Sequence, residues 1–299
     1  MKKKLMYYLT RFFLFLGRFL PKTSIYSLSY WILMRYYHAK PKREEILHDN
    51  IKRAFPDKDE KEIKIFSRKV YSEVAKMLAE TILLYQRRIN IEQSVLNKEE
   101  VVEKLKQLQS DAPNGILFIT AHYGNWELLG LFLGACGFPI VNVVKRSANH
   151  WIDEEITTPF RQRYGSRMVE HEGAMITLVK TLKKGKIVSL MIDQVVQPPN
   201  GVPVNFFGYP TAATKAVSVL KQKYNPLVVP IFISRVGVEQ FEVNVYDPVE
   251  TKLDTGISEE EQIAVMTQSY YEVIESQIKK SPEQWLWLYN RWKEIKFEK

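Results

Sequence analysis

Gly115-Ile-Leu-Phe-Ile-Thr-Ala-His122-Tyr-Gly-Asn-Trp-Glu127-Leu-Leu-Gly-Leu-Phe-Leu133 is the stretch from which the fold can be read. Residues 115–120 form a short apolar run bounded by turn residues, the pattern of a buried strand. Asn125 to Leu133 reads as a helix, with Asn125 in a residue type that caps helix starts well. Gly124 permits the tight turn between them. His122 therefore falls just beyond the carboxyl end of a strand, where open α/β sheets place their sites.

Downstream, the same alternation continues. Strands are predicted over Pro139–Val144, Ile187–Ile192 and Leu227–Ser234, and an alternating edge strand over Phe241–Tyr246. Helices are predicted over Glu172–Lys184, stopped by Gly185, over Thr211–Lys223, and over Ser258–Lys280. Strands alternating with helices predict an α/β fold, a mainly parallel sheet covered by helices on both faces. Upstream, the chain reads as helical: Thr23–His38, Arg43–Arg53, and a long amphipathic helix over Asp59–Arg87 whose apolar positions include Ile63, Phe66, Val70 and Val74. No internal repeat or low-complexity linker interrupts the chain.

The amino end has its own character. Lys2, Lys3 and Lys4 precede a run rich in Phe, Leu and Tyr that extends to Pro21, broken by Arg11 and Arg18. A spanning helix needs about 20 mostly apolar residues, and a central arginine costs roughly 2.5–3.5 kcal/mol. Arg11 and Arg18, seven apart, share one helical stripe. The expectation is a helical N-terminal arm that associates with the membrane, lying in the interface with its cations on anionic headgroups. The division predicted is residues 1–40 as membrane-associating helices and 41–299 as the α/β domain.

Of 299 residues, 45% are hydrophobic, enough for a sizeable core. Lys and Arg number 43 against 34 for Asp and Glu, a net charge of +9, which favours anionic partners. No nucleic-acid motif accompanies the charge, and no Walker or dinucleotide glycine motif is present. The five histidines lack metal-ligand spacing, so neither metal nor cofactor is expected. The single cysteine, Cys136, excludes an intramolecular disulfide and reads as a small core residue rather than a nucleophile.

Chemistry is expected at His122 and Glu127. Residues five apart do not share a helix face, but a turn at Gly124 would bring them together, with Glu127 in the first helical turn. A carboxylate on one imidazole nitrogen fixes the tautomer and leaves the other as a general base. Asp193, at a strand end, reads either as the orienter of a basic residue or substrate hydroxyl, or as a turn residue.

Ala-His122-x-Gly-Asn-Trp-Glu127 resembles the H-x-x-x-x-D/E motif of glycerolipid acyltransferases, and its flanks are most similar to the late acyltransferase (lauroyl/myristoyl) family of lipid A biosynthesis. Five further segments resemble that family in the same order: Asn50-Ile-Lys-Arg-Ala-Phe-Pro-Asp57, Met191-Ile-Asp193-Gln194, Val202–Gly208 with Thr211–Thr214, Pro230–Arg235, and Ser281-Pro-Glu-Gln-Trp-Leu-Trp-Leu-Tyr-Asn-Arg-Trp-Lys293. Lys145 stands where the family usually has Arg, with Arg146 beside it, and Tyr289 where it often has His. The resemblance implies transfer of a fatty acyl chain from an acyl thioester on acyl carrier protein to a hydroxyl of a lipid A precursor, an anionic glycolipid. It also implies a place at the bacterial inner membrane with the catalytic domain on the cytoplasmic side. Another glycolipid, a lysophospholipid, or a non-catalytic membrane role are the rival readings. His122 would be the base, with Glu127 orienting it. Lys145, Arg146, Arg163, Asp193 and Gln194 would bind substrate. Arg161-Gln-Arg163 and Lys183-Lys184-Gly-Lys186 would form a basic rim, and Trp126, Leu128 and Phe132 would line an acyl slot. Lys145, Arg146 or backbone N–H groups near Gly124 would hold the oxyanion.

Overall fold

The computed structural model describes residues 2–254 and 256–293. Six helices come first: α1 (Lys2–Leu16), α2 (Lys22–His38), α3 (Pro41–Ala54), α4 (Glu60–Tyr85), α5 (Ile91–Ser94) and α6 (Lys98–Ser110). Then follow β1 (Ile116–Thr120), α7 (Trp126–Ala135), β2 (Ile140–Val144), and a helical stretch comprising α8 (His150–Ile152), a wider turn over Asp153–Thr157, and α9 (Thr158–Arg161). The chain continues through β3 (Arg167–Glu170), α10 (Ala174–Leu182), β4 (Ile187–Met191), β5 (Gly201–Phe206), β6 (Tyr209–Thr214), α11 (Ala216–Tyr224), β7 (Leu227–Gly237), β8 (Gln240–Val245) and α12 (Glu259–Lys280).

Six strands form one sheet in the order β3-β2-β4-β1-β7-β8, parallel except for the β7–β8 edge. All five residues of β1 are buried, as the uninterrupted apolar run requires of a central strand. Its alternation divides the core. Ile116 and Phe118 pack with Leu128, Leu131 and Phe132 of α7, while Leu117 and Ile119 pack with Leu178 and Leu182 of α10 and with α12. The mainly parallel sheet between helical layers is the architecture the alternation predicted.

Local chemistry sets the ends of the long helices. Asp59 caps α4 and Ser258 caps α12, each in a reciprocal capping box with the glutamate three residues on, Glu62 and Glu261. Distant segments then lock together around the site. The Asn50 amide donates to the carbonyls of Trp287 and Tyr289, both at 2.7 Å, tying α3 to the C-terminal segment.

One expected helix start is corrected. Thr211–Thr214 lies in β6, paired antiparallel with β5, and the helix begins at Ala216. The two hairpin residues between the strands, Phe207 and Gly208, both have positive φ (52° and 77°), the backbone of a tight two-residue hairpin turn. A helix-compatible Thr-Ala-Ala-Thr segment was thus outcompeted by pairing with Gly201–Val204. The small strand β3 and helices α5 and α6 had no counterpart in the sequence reading.

The first helix is attached rather than embedded, whereas α2 sends Ile25 and Tyr37 into the core. Gln86 and Arg88 donate to the carbonyls of Leu14 and Gly17 at the end of α1, both at 2.9 Å, and Asn149 donates to Lys3 O at 2.9 Å. Only Tyr7 of α1 is buried. Phe12, Phe13, Phe19 and, on α2, Trp31 and Ile32 stand exposed. Among the described residues no helix is long and apolar enough to cross a membrane.

Candidate active site

The parallel pairing of β1 with β4 builds the centre. Its register matches Ile116 to Ile187 and Thr120 to Met191. Continued two residues past both strand ends, the same offset sets His122 beside Asp193. His122 Nδ1 lies 2.8 Å from Asp193 Oδ1, and the His122 backbone N–H donates to Asp193 Oδ2 at 3.0 Å. The indole of Trp285 donates to the same Oδ2 at 2.8 Å. Because a carboxylate only accepts, Nδ1 carries the proton and Nε2 is the free basic nitrogen.

Electrostatics follow from that geometry. Burial disfavours the imidazolium, but the charge of Asp193 and its hydrogen bond outweigh it, with help from Glu127, so His122 sits above the ordinary histidine value. Burial alone would raise Asp193. The facing imidazole and the bonds from His122 and Trp285 reverse this and hold it below the usual carboxylate range. Asp193 is thus a charged, 3% exposed partner with a full set of donors.

Backbone contacts fix the turn that carries His122. Leu286 N donates to His122 O at 2.9 Å, Tyr123 bridges to Trp285, and Gly124 N donates to Gln284 O at 3.0 Å. Gly124 has φ +59°, and a Cβ there would lie 1.9 Å from Ile233 O, so only glycine fits. Its N–H, one of the groups considered for an oxyanion, is occupied by Gln284. Asn125 accepts from Leu128 N at 3.0 Å and starts α7.

Glu127 does not make the contact expected of it. Arg161 grips its carboxylate from two sides, Nε to Oε2 at 2.9 Å and Nη2 to Oε1. Burial works against the Arg161 charge, yet the bonds to Glu127 raise its pKa all the same. The orienting bond to His122 comes from Asp193, because adjacent parallel strands bring residues 71 apart into contact while Glu127 is carried round by the helix toward α9. Glu127 still acts on His122 through its charge.

His122, Trp126, Glu127, Lys145, Arg161 and Gln194 converge on one cavity of about 360 Å³. Between α7 and the sheet the lining continues along Gly130 and Leu133 of α7, Ile140 and Asn142 of β2, Met168 of β3 and Ile231 of β7. The indole of Trp126 meets the His122 ring edge-on, centroids 5.1 Å apart. A polar mouth with a basic imidazole, and an apolar slot behind it, suits a ligand with a reactive carbonyl and a hydrocarbon tail. No group of three or more His, Cys, Asp or Glu side chains able to hold a metal occurs among the described residues.

A family model described as bacterial lipid A biosynthesis acyltransferase matches residues 1–294. The chain belongs to this family. It is 22% identical over 281 residues to a lipid A biosynthesis acyltransferase of Haemophilus influenzae, covering 93% of this chain and 84% of that protein. It is 25% identical over 283 residues to the lipid A biosynthesis lauroyltransferase of Escherichia coli K12, covering 92% and 87%.

Several residues expected at the substrate site of this acyltransferase sit elsewhere. Arg163 donates to Leu84 O at 2.8 Å and Tyr85 O at 3.0 Å, capping the end of α4. Burial lowers its pKa, and it does not line the cavity. Arg146 is 60% exposed and paired with Glu170 on β3, also outside the cavity lining. Lys183, Lys184 and Lys186 precede β4, so the whole five-residue strand, about 16 Å long at 3.3 Å per residue, separates them from Asp193. Leu128 and Phe132 are core, not slot. Cys136 ends α7, ten residues from its start, and burial raises its thiol pKa. Trp285 and the Glu127–Arg161 pairing were not foreseen. Their signal lay in the Gln-Trp-Leu-Trp segment and in Arg161-Gln-Arg163, neither of which carries a register by itself.

Proposed function

We propose that this acyltransferase moves a fatty acyl chain from the thioester of acyl carrier protein to a hydroxyl of a lipid A precursor by direct attack, with His122 as general base and Asp193 as its partner. The observation that carries the reading is the His122–Asp193 hydrogen bond at the mouth of an apolar cavity. Nε2 takes the proton as the hydroxyl oxygen attacks the thioester carbonyl carbon. Asp193 stabilises the imidazolium so formed. When the tetrahedral intermediate collapses, the C–S bond breaks and the imidazolium returns its proton to the leaving sulfur, giving ester and thiol.

Charge inside the cavity has two sources. Arg161 is neutralised by Glu127, whereas Lys145 has no ion pair among the described residues. Lys145 is the cation we assign to the oxyanion or to an acceptor phosphate. Gln194 lies on the same wall. The slot along Gly130, Leu133 and Ile140 takes the acyl chain.

The arm supplies the lipid. Exposed Phe12, Phe13, Phe19 and Trp31 alongside Lys2, Lys3, Arg11 and Arg18 form an interfacial surface. The Asn149–Lys3 bond fixes α1 beside the segment that follows Lys145, so an acceptor in the bilayer stays near the cavity mouth. This reading puts the enzyme on the cytoplasmic face of the inner membrane, where thioester donors are available.

The test is an acyl-transfer assay with acyl carrier protein thioester and a lipid A precursor, followed by mass spectrometry. The expected product is the precursor heavier by one acyl group. His122→Ala should form it at least roughly 10²-fold more slowly, since general-base catalysis contributes about 10²–10⁴-fold. Absence of product with the wild-type protein, or near-normal turnover of folded His122→Ala, overturns the reading.

A further inference from the structure

Behind the catalytic turn, on the side away from Asp193, lies a second polar cluster that the chemistry does not use. Glu80 of α4 is 1% exposed. Its Oε1 accepts from Arg235 Nε at 2.7 Å, and its Oε2 accepts from Arg235 Nη2 and from Asn125 Nδ2, the latter at 2.9 Å. Glu73, two turns earlier on the same helix, takes the remaining arm of the Arg235 guanidinium. Gln284 clasps the Arg235 backbone with both ends of its amide, at 2.8 and 2.9 Å, while its own carbonyl accepts from Gly124.

Such a cluster is a poor way to gain stability. A buried ion pair repays its desolvation only with good geometry, and apolar replacements are often neutral or better. What it does is select one orientation. Asn125 has a two-fold choice: its oxygen or its nitrogen can face the start of α7. Only the oxygen can cap Leu128 N, and only the nitrogen can meet the acceptor Glu80. The flipped amide would fail at both ends.

We propose that Glu80, held by Arg235, locks the Asn125 amide and thereby positions the first turn of α7, with Trp126 against the His122 ring and Glu127 against Arg161. Asn125, Glu80 and Arg235 are positioning residues. They touch no substrate and act through the turn between β1 and α7. This rests on the acyl-transfer reading with His122 as base.

The test is a charge exchange. Asn125→Asp keeps a capping oxygen but turns a carboxylate on Glu80. Its kcat should fall at least roughly tenfold, since misplacement of about 1 Å can cost 10²-fold, with KM for the acyl donor little changed. Glu80→Gln sets an amide against an amide, so that position 80 no longer rejects the flipped orientation of Asn125, and should also lose kcat. In the Asn125→Asp/Glu80→Gln double variant the amide introduced at position 80 donates to the carboxylate introduced at position 125, and most of the lost kcat should return. Asn125→Ser, a good cap whose shorter side chain lacks the amide NH2 that reaches Glu80, guards against misfolding of the charged variants and should lose kcat while remaining folded. Rates are taken per folded enzyme, with thermal melts alongside. A merely structural role would lower melting temperatures and leave the kcat of folded protein unchanged, which overturns the proposal. So does a double variant no better than the worse single one. If folded His122→Ala turns over normally, the acyl-transfer reading has failed instead. If His122→Ala is inactive and Asn125→Ser has wild-type kcat, only the positioning lattice has failed.

Discussion

Two carboxylates flank the same histidine, and they are built differently. Asp193 stands at the end of a central strand, almost wholly buried, with three hydrogen bonds converging on it from His122 and Trp285. Glu127 stands in the first turn of a helix, 14% exposed, gripped by Arg161. The first is 71 residues from His122 in the chain and bonded to it. The second is five residues away and bonded elsewhere. Contact here is decided by sheet register and not by nearness in sequence. The division of labour follows: Asp193 sets the tautomer and the proton affinity of His122, and Glu127 holds Arg161 and shapes the cavity wall.

Removing the Asp193 charge strikes that contrast hardest. Asp193→Asn keeps the size but loses the charge and one acceptor oxygen. With the His122 and Trp285 N–H groups holding the remaining oxygen, the amide NH2 faces Nδ1 and favours the wrong tautomer, and kcat should fall by about 10²–10⁴-fold. Glu127→Gln leaves the dyad intact and should cost only roughly tenfold, equivalent to about 1.4 kcal/mol. Initial rates of both folded variants at saturating donor decide the ranking. Equal losses, or a larger loss for Glu127→Gln, would break the comparison.

The sequence carried much of this and lacked one thing. The apolar run 116–120, Gly124 and the capping Asn125 were enough to place His122 beyond a strand end, because each is a local signal. Asp193 was visible as a strand-ending acid, but its partner depends on which strands are neighbours, and the order β2-β4-β1-β7 is set by the packing of the whole sheet. The spacing from His122 to Glu127 was legible and suggested a bond that Arg161 takes instead. Arg163 and Arg161 look alike in sequence. The helical turn over residues 153–161 sends one to the cavity and the other to the carbonyls of Leu84 and Tyr85. The Phe207–Gly208 hairpin turn was missed because a helix-compatible segment adjoined it and no Asn-Gly or Asp-Gly signal marked it.

The depth of the slot can be probed next. A Cβ on Gly130 would meet only Asn142 Nδ2, at 3.9 Å, and Gly130 lines the cavity. Gly130→Leu should therefore fold and shift preference toward shorter acyl chains. Competing thioesters of two lengths, with products resolved by mass, would show it. An unchanged product ratio would mean that the chain lies elsewhere.

The smallest expected effect on activity belongs to the arginine on the far side of the comparison. Arg163→Ala removes two bonds to helix-end carbonyls and should destabilise the fold by about 1–3 kcal/mol while leaving the kcat of folded enzyme near wild type. A selective loss of kcat with an unchanged melt would return Arg163 to the substrate site.

The pH dependence of kcat/KM tests the central claim most directly. In the proposed mechanism His122 acts as a neutral base, and Asp193 holds it above the ordinary histidine value against the opposing effect of burial. Wild-type activity should therefore fall as pH drops through a histidine pKa raised above 6.5. In Asp193→Asn the raising partner is gone and burial remains, so the acid limb should move to lower pH beneath a reduced plateau. Glu127→Gln should move it the same way but less. An acid limb that stays in place in Asp193→Asn, or that moves further in Glu127→Gln, would contradict the assignment of Asp193 as the partner of the catalytic base.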